Sequence, residues 1–391
     1  MAGVPYSKQI SVSGDILSAW EAISNGVVGQ NHQTREKYWK HWSSYTQQFN
    51  KDKYLDTCNE QEQIIIITAF AARVRSGHYG KGRIVKAQSV SQALAAISKT
   101  IELVGKRSPI YQTEKTYKTP VARLLEGYRR EDPPSTPQLA VPVAVPEACF
   151  KIAYQTNNPI NHAVGDLALI AFYYLLRVGE YTKPKLRVIN GKTKRATRTQ
   201  QFRVENIGFF KNNKILPRNS KLKELLTADS CTLKITNQKN GRMGQTIHHF
   251  ATHTSTCPVQ AVARRVHHIL SNKGSTSNLI CDVFDKSTNS WTQVTARNMM
   301  TGVRQAVSSL NLQQCGIDID LVGVHSLRAG GAMALKLQGE NDTTIMKMGR
   351  WTSLTFLQYI HNQIAHLSKG LATKMSTKLN FQNIAAIEKA K

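Results

Sequence analysis

The sequence predicts a mainly α-helical fold in two parts: an N-terminal helical domain, and a mixed but mostly helical C-terminal domain with a small antiparallel β-sheet. Apolar residues recur every three to four positions over several long segments, which is the period of an amphipathic helix. A proline-rich segment at residues 129–146 separates the two parts. Two short strand-like runs flank an Asn-Gly pair in the second part, which is typical of a β-hairpin.

Four helices are expected in the N-terminal part. The first covers residues 34–49, where Tyr38, Trp42 and Tyr45 recur at helical spacing. The other three are expected at residues 60–74, 90–104 and 121–128. Residues 129–146 contain five prolines, which block a helix interior and favour an extended chain. We therefore expect a helical domain at residues 1–128, a linker at 129–146 and a second domain at 147–391.

In the second domain, residues 161–180 predict one buried helix that ends near Arg177, and residues 200–210 predict a strand. The runs at 232–236 and 246–250 then form the predicted hairpin, which gives a small three-stranded sheet. Helices are expected to resume at residue 258 and to continue through the tail at 364–391, where a stripe of apolar residues is spaced as in a helix.

The charge balance favours a polyanionic partner. Lys and Arg number 52 and Asp and Glu number 25, so the formal net charge is +27. Charge alone does not distinguish nucleic acid from an anionic membrane surface. Residues 230–281 contain no acidic residue, and residues 181–204 contain eight basic residues and no acidic one. Such stretches suit a surface that follows phosphates, although the run at 183–198 could also be a nuclear localisation signal.

Six cysteines show no paired spacing, and the amino terminus lacks a secretory signal pattern. We therefore expect an intracellular protein, nuclear if its source is eukaryotic. The longest apolar run, residues 167–176, is too short to span a bilayer, so no membrane partner is expected.

Two arginines and a histidine form a set that suits phosphate chemistry. Arg177 is followed three residues later by Glu180, and His325 and Arg328 are spaced to share one helical face. A phosphodiester under attack gathers negative charge on its non-bridging oxygens, which guanidinium groups can neutralise without a metal. Glu180 is interpreted as support that orients neighbouring donors. Each residue alone could instead be structural, and the combination favours function.

Two aromatic residues complete the set. The indole of Trp351 can donate a hydrogen bond but cannot shuttle a proton at neutral pH. Tyr359 is the only tyrosine after Tyr181, and a phenol becomes a nucleophile when positive charge or a base lies beside it. Both residues could alternatively be core aromatics. Arg350, next to Trp351, receives no assigned role.

The ordered set of Leu-Arg-x-x-Glu, His-x-x-Arg, and Gly-x-Trp followed by a tyrosine resembles the tyrosine recombinases, or phage-integrase-like site-specific recombinases. The phrase Gly349-Arg350-Trp351, with Phe356 and Tyr359-Ile360, resembles most the recombinases of eukaryotic mobile elements, such as Cryptons and DIRS-type retroelements. The resemblance covers residues 161–362 and, more loosely, the helical domain before them. It implies a core-binding domain followed by a catalytic domain.

The resemblance also implies a mechanism. Tyr359 would attack the scissile phosphate to give a 3′-phosphotyrosyl link, Arg177 and Arg328 would share the non-bridging oxygens, and His325 would position or exchange the tyrosyl proton. A lysine on a β-hairpin would protonate the 5′ leaving oxygen. Lys239, at the predicted turn, is the first choice, with Lys234 and Arg242 nearby.

One phosphoester replaces another in this reaction, so no ATP, metal or other cofactor is expected. The implied partners are double-stranded DNA and further copies of the chain, assembled as a tetramer on DNA. The apolar stripe of the tail would pack on its own domain or on a neighbouring protomer.

Two other functions stay open. A type IB topoisomerase shares this chemistry, and a non-catalytic DNA-binding protein derived from a mobile element would share the charge. Two metal sites are disfavoured. Asp318 and Asp320 lack a third acid, and a zinc site would draw on residues without a compact cysteine pair, namely His248, His249, His253 and Cys257.

Overall fold

A computed structural model of the chain describes residues 19, 29–113, 116–134, 138–189, 192–195, 199–237, 244–252 and 254–357. The chain divides into two compact units. The first unit consists of Met1–Ser135 and Lys185–Arg198, and the second consists of Thr136–Pro184 and Thr199–Lys391. The division at Ser135 falls inside the proline-rich segment. The basic segment Lys185–Arg198 groups with the first unit, whereas the sequence alone placed it in the catalytic domain.

The described residues of the first unit form the four helices that were expected. These are α1 (Gly29–Gln47), α2 (Glu60–Arg75), α3 (Ala87–Leu103) and α4 (Thr119–Glu131). They enclose a core that includes Trp42, Phe70 and Leu94, all fully buried. The Trp42 and Phe70 rings meet edge to face with their centroids 5.1 Å apart, which is a favoured aromatic geometry.

The ends of the proline-rich segment are helical, which differs from the extended chain expected at 129–146. Helix α4 continues to Glu131 because Arg75 forms ion pairs with Glu131 and Asp132 just beyond the expected end. The hydrogen bond from Arg75 lowers the pKa of the Asp132 carboxyl. At the other end, the next helix already begins at Ala144.

Two short hairpins complete the first unit. Strands β1 (Tyr111–Thr113) and β2 (Thr116–Tyr117) pair with each other, as do β3 (Leu186–Ile189) and β4 (Lys192–Arg195). The second pair lies within the basic run at 183–198, for which the sequence analysis expected no strands. Leu186 and Val188 alternate along β3, and both are more than half exposed. The surface formed by β3 and β4 is called the basic hairpin below.

The second unit is built around helices. They are α5 (Ala144–Tyr154), α6 (Pro159–Tyr173), α7 (Val178–Tyr181), α8 (Leu222–Leu225), α9 (Pro258–Ser271), α10 (Ala296–Ser309), α11 (Val324–Leu337) and α12 (Asp342–Gly349). Helix α6 lies at the centre, with every residue from 163 to 172 buried. The prediction of a single helix over 161–180 is wrong. Helix α6 ends at Tyr173, Leu175 adopts a φ of 47°, and the chain resumes as α7 at Val178.

A four-stranded antiparallel sheet lies beside these helices. Its strands are β5 (Ile207–Lys211), β6 (Lys214–Leu216), β7 (Ser230–Ile235) and β8 (Gln245–Phe250), in the order β6-β5-β7-β8. The antiparallel pairing of β7 and β8 confirms the predicted strands, and residues 238–243 between them are outside the described residues. The sheet has one strand more than expected, because Asn212 and Asn213 take positive φ and turn the chain back at once.

A further hairpin, β9 (Asp282–Asp285) with β10 (Ser290–Gln293), interrupts the region where only helices were expected. The predicted fold class is nonetheless confirmed, because the chain is mainly helical with small antiparallel sheets. The tail at 364–391 is outside the described residues. Within the described ranges, no helix has the length and apolar character that crossing a bilayer requires.

Two adjacent glycines set how closely α11 approaches its neighbours. A Cβ atom at Gly331 would collide with the backbone carbonyl of Phe172 at the end of α6. A Cβ atom at Gly330 would collide with the carbonyl of Val141. Helix α11 therefore contacts backbone on two sides, and its position is fixed more tightly than side-chain packing alone would allow.

We expect Gly331→Ala to lower the free energy of unfolding by about 1 to 3 kcal/mol, because the added methyl group meets a backbone carbonyl that cannot move aside. The intrinsic preference of alanine for helices, worth roughly 1 kcal/mol, acts in the opposite direction. Chemical denaturation followed by circular dichroism measures the difference.

Gly127→Ala is the matched control for that substitution. Gly127 also lies in a helix, but nothing lies within 4 Å of a Cβ atom there, so alanine should stabilise. Equal stabilisation by both substitutions would show that α11 is not in close contact with α6.

Candidate active site

The turn between α6 and α7 creates a carbonyl that two arginines share. Leu175 has a positive φ, so its peptide is rotated out of the helical direction. Its carbonyl oxygen accepts a hydrogen bond from Nη1 of Arg328 and another from Nη2 of Arg350, the latter at 2.9 Å. Both arginines follow Leu175 in sequence by more than 150 residues. The break in the helix is therefore the point where distant parts of the chain meet.

Arg177 stands at the N-cap position of α7 and is held by Glu180. Its backbone N–H donates to Oε2 of Glu180 at 2.8 Å, and its Nη1 donates to Oε1 at 3.4 Å. The side chain of Arg177 is 22% exposed, whereas that of Glu180 is fully buried. Arg177 thus reaches the surface while its orientation is tied to a buried carboxylate. The sequence suggested an arginine at a helix end, and it lies instead at the start of a new helix.

Arg350 is a member of the cluster to which the sequence analysis gave no role. It forms a bidentate ion pair with Glu180, from Nη1 to Oε1 at 3.0 Å and from Nη2 to Oε2 at 3.1 Å. Its side chain is only 2% exposed. Burial lowers the pKa of the Arg350 guanidinium, the ion pair with Glu180 raises it, and nearby Arg177 lowers it. The signal that could have pointed to Arg350 is the need for a counter-charge. A glutamate next to a buried helix, such as Glu180, requires a cationic partner if it is buried as well.

Arg328 is held by two backbone carbonyls from separate segments, those of Leu175 and Gly349. It projects from α11, is 3% exposed, and donates from Nη2 to the carbonyl of Gly349 at the end of α12. Its Cζ atom lies 4.3 Å from the centroid of the Trp351 ring, which is a cation–π contact. Trp351 packs in turn on Phe356, with ring centroids 5.5 Å apart. Arg328 thereby connects the α6 turn, α12 and the indole.

His325 lies one turn before Arg328 on the same helix, and unlike Arg328 it is exposed. Its backbone N–H donates to the side-chain oxygen of Gln138 at 3.3 Å, in the segment before α5. Gln138 also lies against Gly323, where a Cβ atom would collide with its amide group. The start of α11 is therefore covered by this segment, and His325 is presented at the surface beside it.

Tyr359 and Lys239 are outside the described residues, as is Arg242. Lys234, the alternative general acid, is described and lies exposed on β7. The structure brings four predicted residues together as two directly contacting pairs, Arg177 with Glu180 and Arg328 with Trp351. Arg350 links the two pairs through Glu180 and the Leu175 carbonyl.

Residues of the two disfavoured metal sites make other contacts where the structure describes them. The described residues contain no group of three or more His, Cys, Asp or Glu side chains that could hold a metal ion. His249 packs edge to face on Tyr174, and burial lowers the pKa of its imidazole. His248 packs on Phe250, and Asp318 accepts a hydrogen bond from the backbone N–H of Asp320. His253 is outside the described residues.

The cluster combines three guanidinium groups with one carboxylate in a largely buried position. An arrangement of fixed cations with an adjacent indole suits an oxyanion, because guanidinium groups stay charged and match the spacing of phosphate oxygens. The cations are held by backbone carbonyls and by Glu180, so they are oriented before any anion binds.

Neither a protein-family model nor a curated protein matches the chain. Several solved structures are similar in fold. The Tn1549 transposon integrase in complex with transposon right end DNA shows 11% identity and a TM-score of 0.40, over 79% of this chain and 85% of that one. The XerH site-specific recombinase bound to palindromic difH substrate shows 12% identity and a TM-score of 0.46, over 87% and 77%. The XerA recombinase shows 13% identity and a TM-score of 0.36, over 92% and 97%.

We expect Glu180→Gln to lower the free energy of unfolding by about 3 to 5 kcal/mol, because it leaves the buried Arg350 guanidinium without a counter-charge. The double variant Glu180→Gln/Arg350→Met removes both charges, so most of the lost stability should return. Urea denaturation of the four proteins gives the interaction energy as a double-mutant cycle. Additive effects of the two substitutions would contradict the ion pair.

Proposed function

We propose that this protein is a site-specific DNA recombinase or integrase that cleaves and rejoins DNA strands through a 3′-phosphotyrosyl intermediate. The observation that carries the proposal is the convergence of Arg177 and Arg328 on the Leu175 turn, with Trp351 packed on Arg328. These are three of the residues whose order in the sequence resembles tyrosine recombinases, and they are separated by up to 174 positions. Glu180, Arg350 and the Leu175 carbonyl link these residues in the fold, and that proximity supports a common chemical task.

The proposed reaction begins with Tyr359. Its phenolic oxygen attacks the scissile phosphorus, the bond from phosphorus to the 5′ oxygen breaks, and a 3′-phosphotyrosyl bond forms. The phenolic proton passes to His325 or to solvent beside it, and Lys239 supplies the proton that the departing 5′ oxygen takes up. A 5′-hydroxyl then attacks the phosphotyrosine, which reverses these steps and releases Tyr359.

The arginines would stabilise the charge that develops during each attack. Both non-bridging oxygens become more negative as the fifth ligand approaches phosphorus, and guanidinium groups placed there lower the barrier by electrostatics. Arg177 is partly exposed and so accessible to a phosphate, whereas Arg328 is nearly buried beneath the indole of Trp351. A phosphate would therefore contact Arg177 and the edge of the Trp351 indole at the surface. Its contact with Arg328 would lie deeper, beneath the indole.

Binding to duplex DNA would use the excess of positive charge in both units. The basic hairpin lies in a stretch with eight basic residues and no acidic one, and its described side chains Leu186 and Val188 are exposed rather than covered. A two-stranded ribbon of this kind can lie along a DNA groove or backbone. We further propose that the chain acts as a tetramer on DNA, since two duplexes exchanged by this chemistry require four cleavages.

We expect the wild-type protein to form a covalent adduct with nicked duplexes from a randomised pool. A nick beside the cleaved position lets the short fragment that bears the new 5′-hydroxyl diffuse away, so rejoining fails and the 3′-phosphotyrosyl adduct remains. Tyr359→Phe should form none, since it lacks the nucleophilic oxygen, while binding DNA with unchanged affinity. A denaturing gel detects the adduct.

The other outcomes assign different functions. An adduct accompanied by relaxation of any supercoiled plasmid, without sequence preference among the trapped duplexes, would indicate a type IB topoisomerase. Salt-sensitive DNA binding without an adduct would indicate a non-catalytic DNA-binding protein. An adduct that persists in Tyr359→Phe would show that another residue is the nucleophile.

We expect Lys192→Gln/Lys194→Gln in the basic hairpin to weaken DNA binding and to reduce the slope of log affinity against log salt by up to about 1.8, because each phosphate contact contributes roughly 0.9. The matched control is Arg129→Gln/Arg130→Gln, whose two arginines already pair with Glu126. Fluorescence anisotropy at several salt concentrations measures both slopes. An equal change in the two variants would mean that the hairpin makes no specific contribution.

A further inference from the structure

We propose that Arg350 is a positioning residue for the cleavage step. Through Glu180 and the carbonyl of Leu175, it fixes Arg177 relative to Arg328, and so it controls the rate of cleavage rather than the affinity for DNA. The inference rests on the function proposed above and adds a residue that the motif resemblance did not assign.

One carboxylate, that of Glu180, accepts hydrogen bonds from two arginines. Oε1 of Glu180 accepts from Nη1 of Arg350 at 3.0 Å and from Nη1 of Arg177 at 3.4 Å. Oε2 accepts from Nη2 of Arg350 at 3.1 Å and from the backbone N–H of Arg177 at 2.8 Å. Both oxygens are thus shared, so a rotation of the Glu180 carboxylate would move Arg177 and Arg350 together.

Arg350 also contacts a carbonyl that holds Arg328 in place. Its Nη2 donates to the Leu175 carbonyl, which accepts from Arg328 as well. The neighbouring carbonyl of Gly349 accepts the other terminal nitrogen of Arg328. Among the described residues, Arg350 therefore links Glu180, which holds Arg177, to the Leu175 carbonyl, which holds Arg328.

The backbone of Arg350 makes this connection rigid. Arg350 ends α12 with a φ of 58° and a ψ of 40°, the left-handed conformation that is unfavourable for a residue with a side chain. Its N–H bonds to carbonyls of α12, and the next residue is Trp351, which lies over Arg328. The strained position is retained because it aims a guanidinium into the core and the following indole at Arg328.

The burial and bonding of Arg350 favour a positioning role over direct contact with a DNA phosphate. The side chain of Arg350 is 2% exposed, and both terminal nitrogens are bonded within the protein. Arg328 is almost as buried, but its terminal nitrogens bond to neutral carbonyls, whereas both terminal nitrogens of Arg350 pair with the Glu180 carboxylate. Arg350 is thus charge-compensated within the protein, so removing it together with Glu180 should leave DNA affinity nearly unchanged. Its effect would reach the reaction through the placement of Arg177, and a displacement near 1 Å can slow a reaction by about 100-fold.

A purely structural ion pair would give a different result, and the chain offers a matched example. Asp166 and Arg264 form another ion pair in the second unit at 2.7 Å, with side chains 2% and 15% exposed. Arg264 also lies over Phe150, with its Cζ atom 4.6 Å from the ring centroid. This pair is similarly buried, but it makes no described contact with the arginine cluster. It serves as the control for loss of a buried pair.

The experiment compares Glu180→Gln/Arg350→Met with Asp166→Asn/Arg264→Met in the full chain. The probe is a nicked duplex that the wild-type protein captures covalently from a randomised pool. Stability is measured first by urea denaturation, and DNA affinity by anisotropy on the same duplex. The rate of adduct formation is then measured at saturating protein in a single turnover. Arg350→Lys, which keeps the charge but carries all its donors on one nitrogen, is the conservative variant.

We expect adduct formation about 100-fold slower in Glu180→Gln/Arg350→Met, with the dissociation constant changed less than about 3-fold. The Asp166→Asn/Arg264→Met variant should react at the wild-type rate. Arg350→Lys should react roughly 10-fold more slowly, because lysine cannot span both carboxylate oxygens.

A wild-type rate in Glu180→Gln/Arg350→Met, or equal slowing in both double variants, would overturn the positioning role. A wild-type protein that forms no adduct would overturn the proposed function as well, which distinguishes the two failures.

Discussion

The second unit depends on one interaction, the burial of the Glu180 carboxylate between two arginines. A carboxylate without access to water is strongly unfavourable unless cations and hydrogen-bond donors surround it. Glu180 receives four such bonds, from Arg177 and Arg350. Because Arg350 lies 170 positions away, this requirement joins the end of α12 to the turn after α6. The helix break, the left-handed residue at 350 and the stacked Trp351 all follow from bringing those two segments together.

Backbone contacts set the remaining geometry of the cluster. Helix α11, which carries His325 and Arg328, approaches the end of α6 closely at Gly331 and the segment before α5 at Gly330. The same segment also bonds to the chain just before α11, since the N–H of Leu139 donates to the carbonyl of Leu321 at 2.9 Å. A catalytic side chain carried by a helix that is fixed in this way is better positioned than one carried by a loop. The proline-rich segment therefore supports the candidate site in addition to connecting the two units.

The sequence predicted the elements that have long periodic patterns and missed those that depend on single residues. Helices α1 to α4 follow from apolar spacing, and the hairpin of β7 and β8 follows from two strand-like runs that flank an Asn-Gly pair in the sequence. The break after Tyr173 was missed because leucine carries no signal for the positive φ that Leu175 adopts. Strand β6 and the hairpin of β9 and β10 were missed because strands of three or four residues show little alternation. In the candidate site, local motifs identified Arg177 and Arg328, whereas the pairing of Arg350 with Glu180 is a long-range contact that no local pattern encodes.

The charge of the cluster explains why a third arginine is useful. If Glu180 were paired with Arg177 alone, the carboxylate would orient that guanidinium and also cancel its charge. Arg350 adds a second cation to the same carboxylate, so three guanidinium groups and one carboxylate leave a net charge of 3 − 1 = +2. A phosphodiester carries one negative charge and develops more on its non-bridging oxygens as a nucleophile attacks. A site with a net charge of +2 can balance the additional negative charge of the transition state. A site with a net charge of +1 balances only the single charge of the phosphodiester before attack. In the proposed reaction, Arg350 thus lets Glu180 hold Arg177 in place without removing the charge that Arg177 contributes.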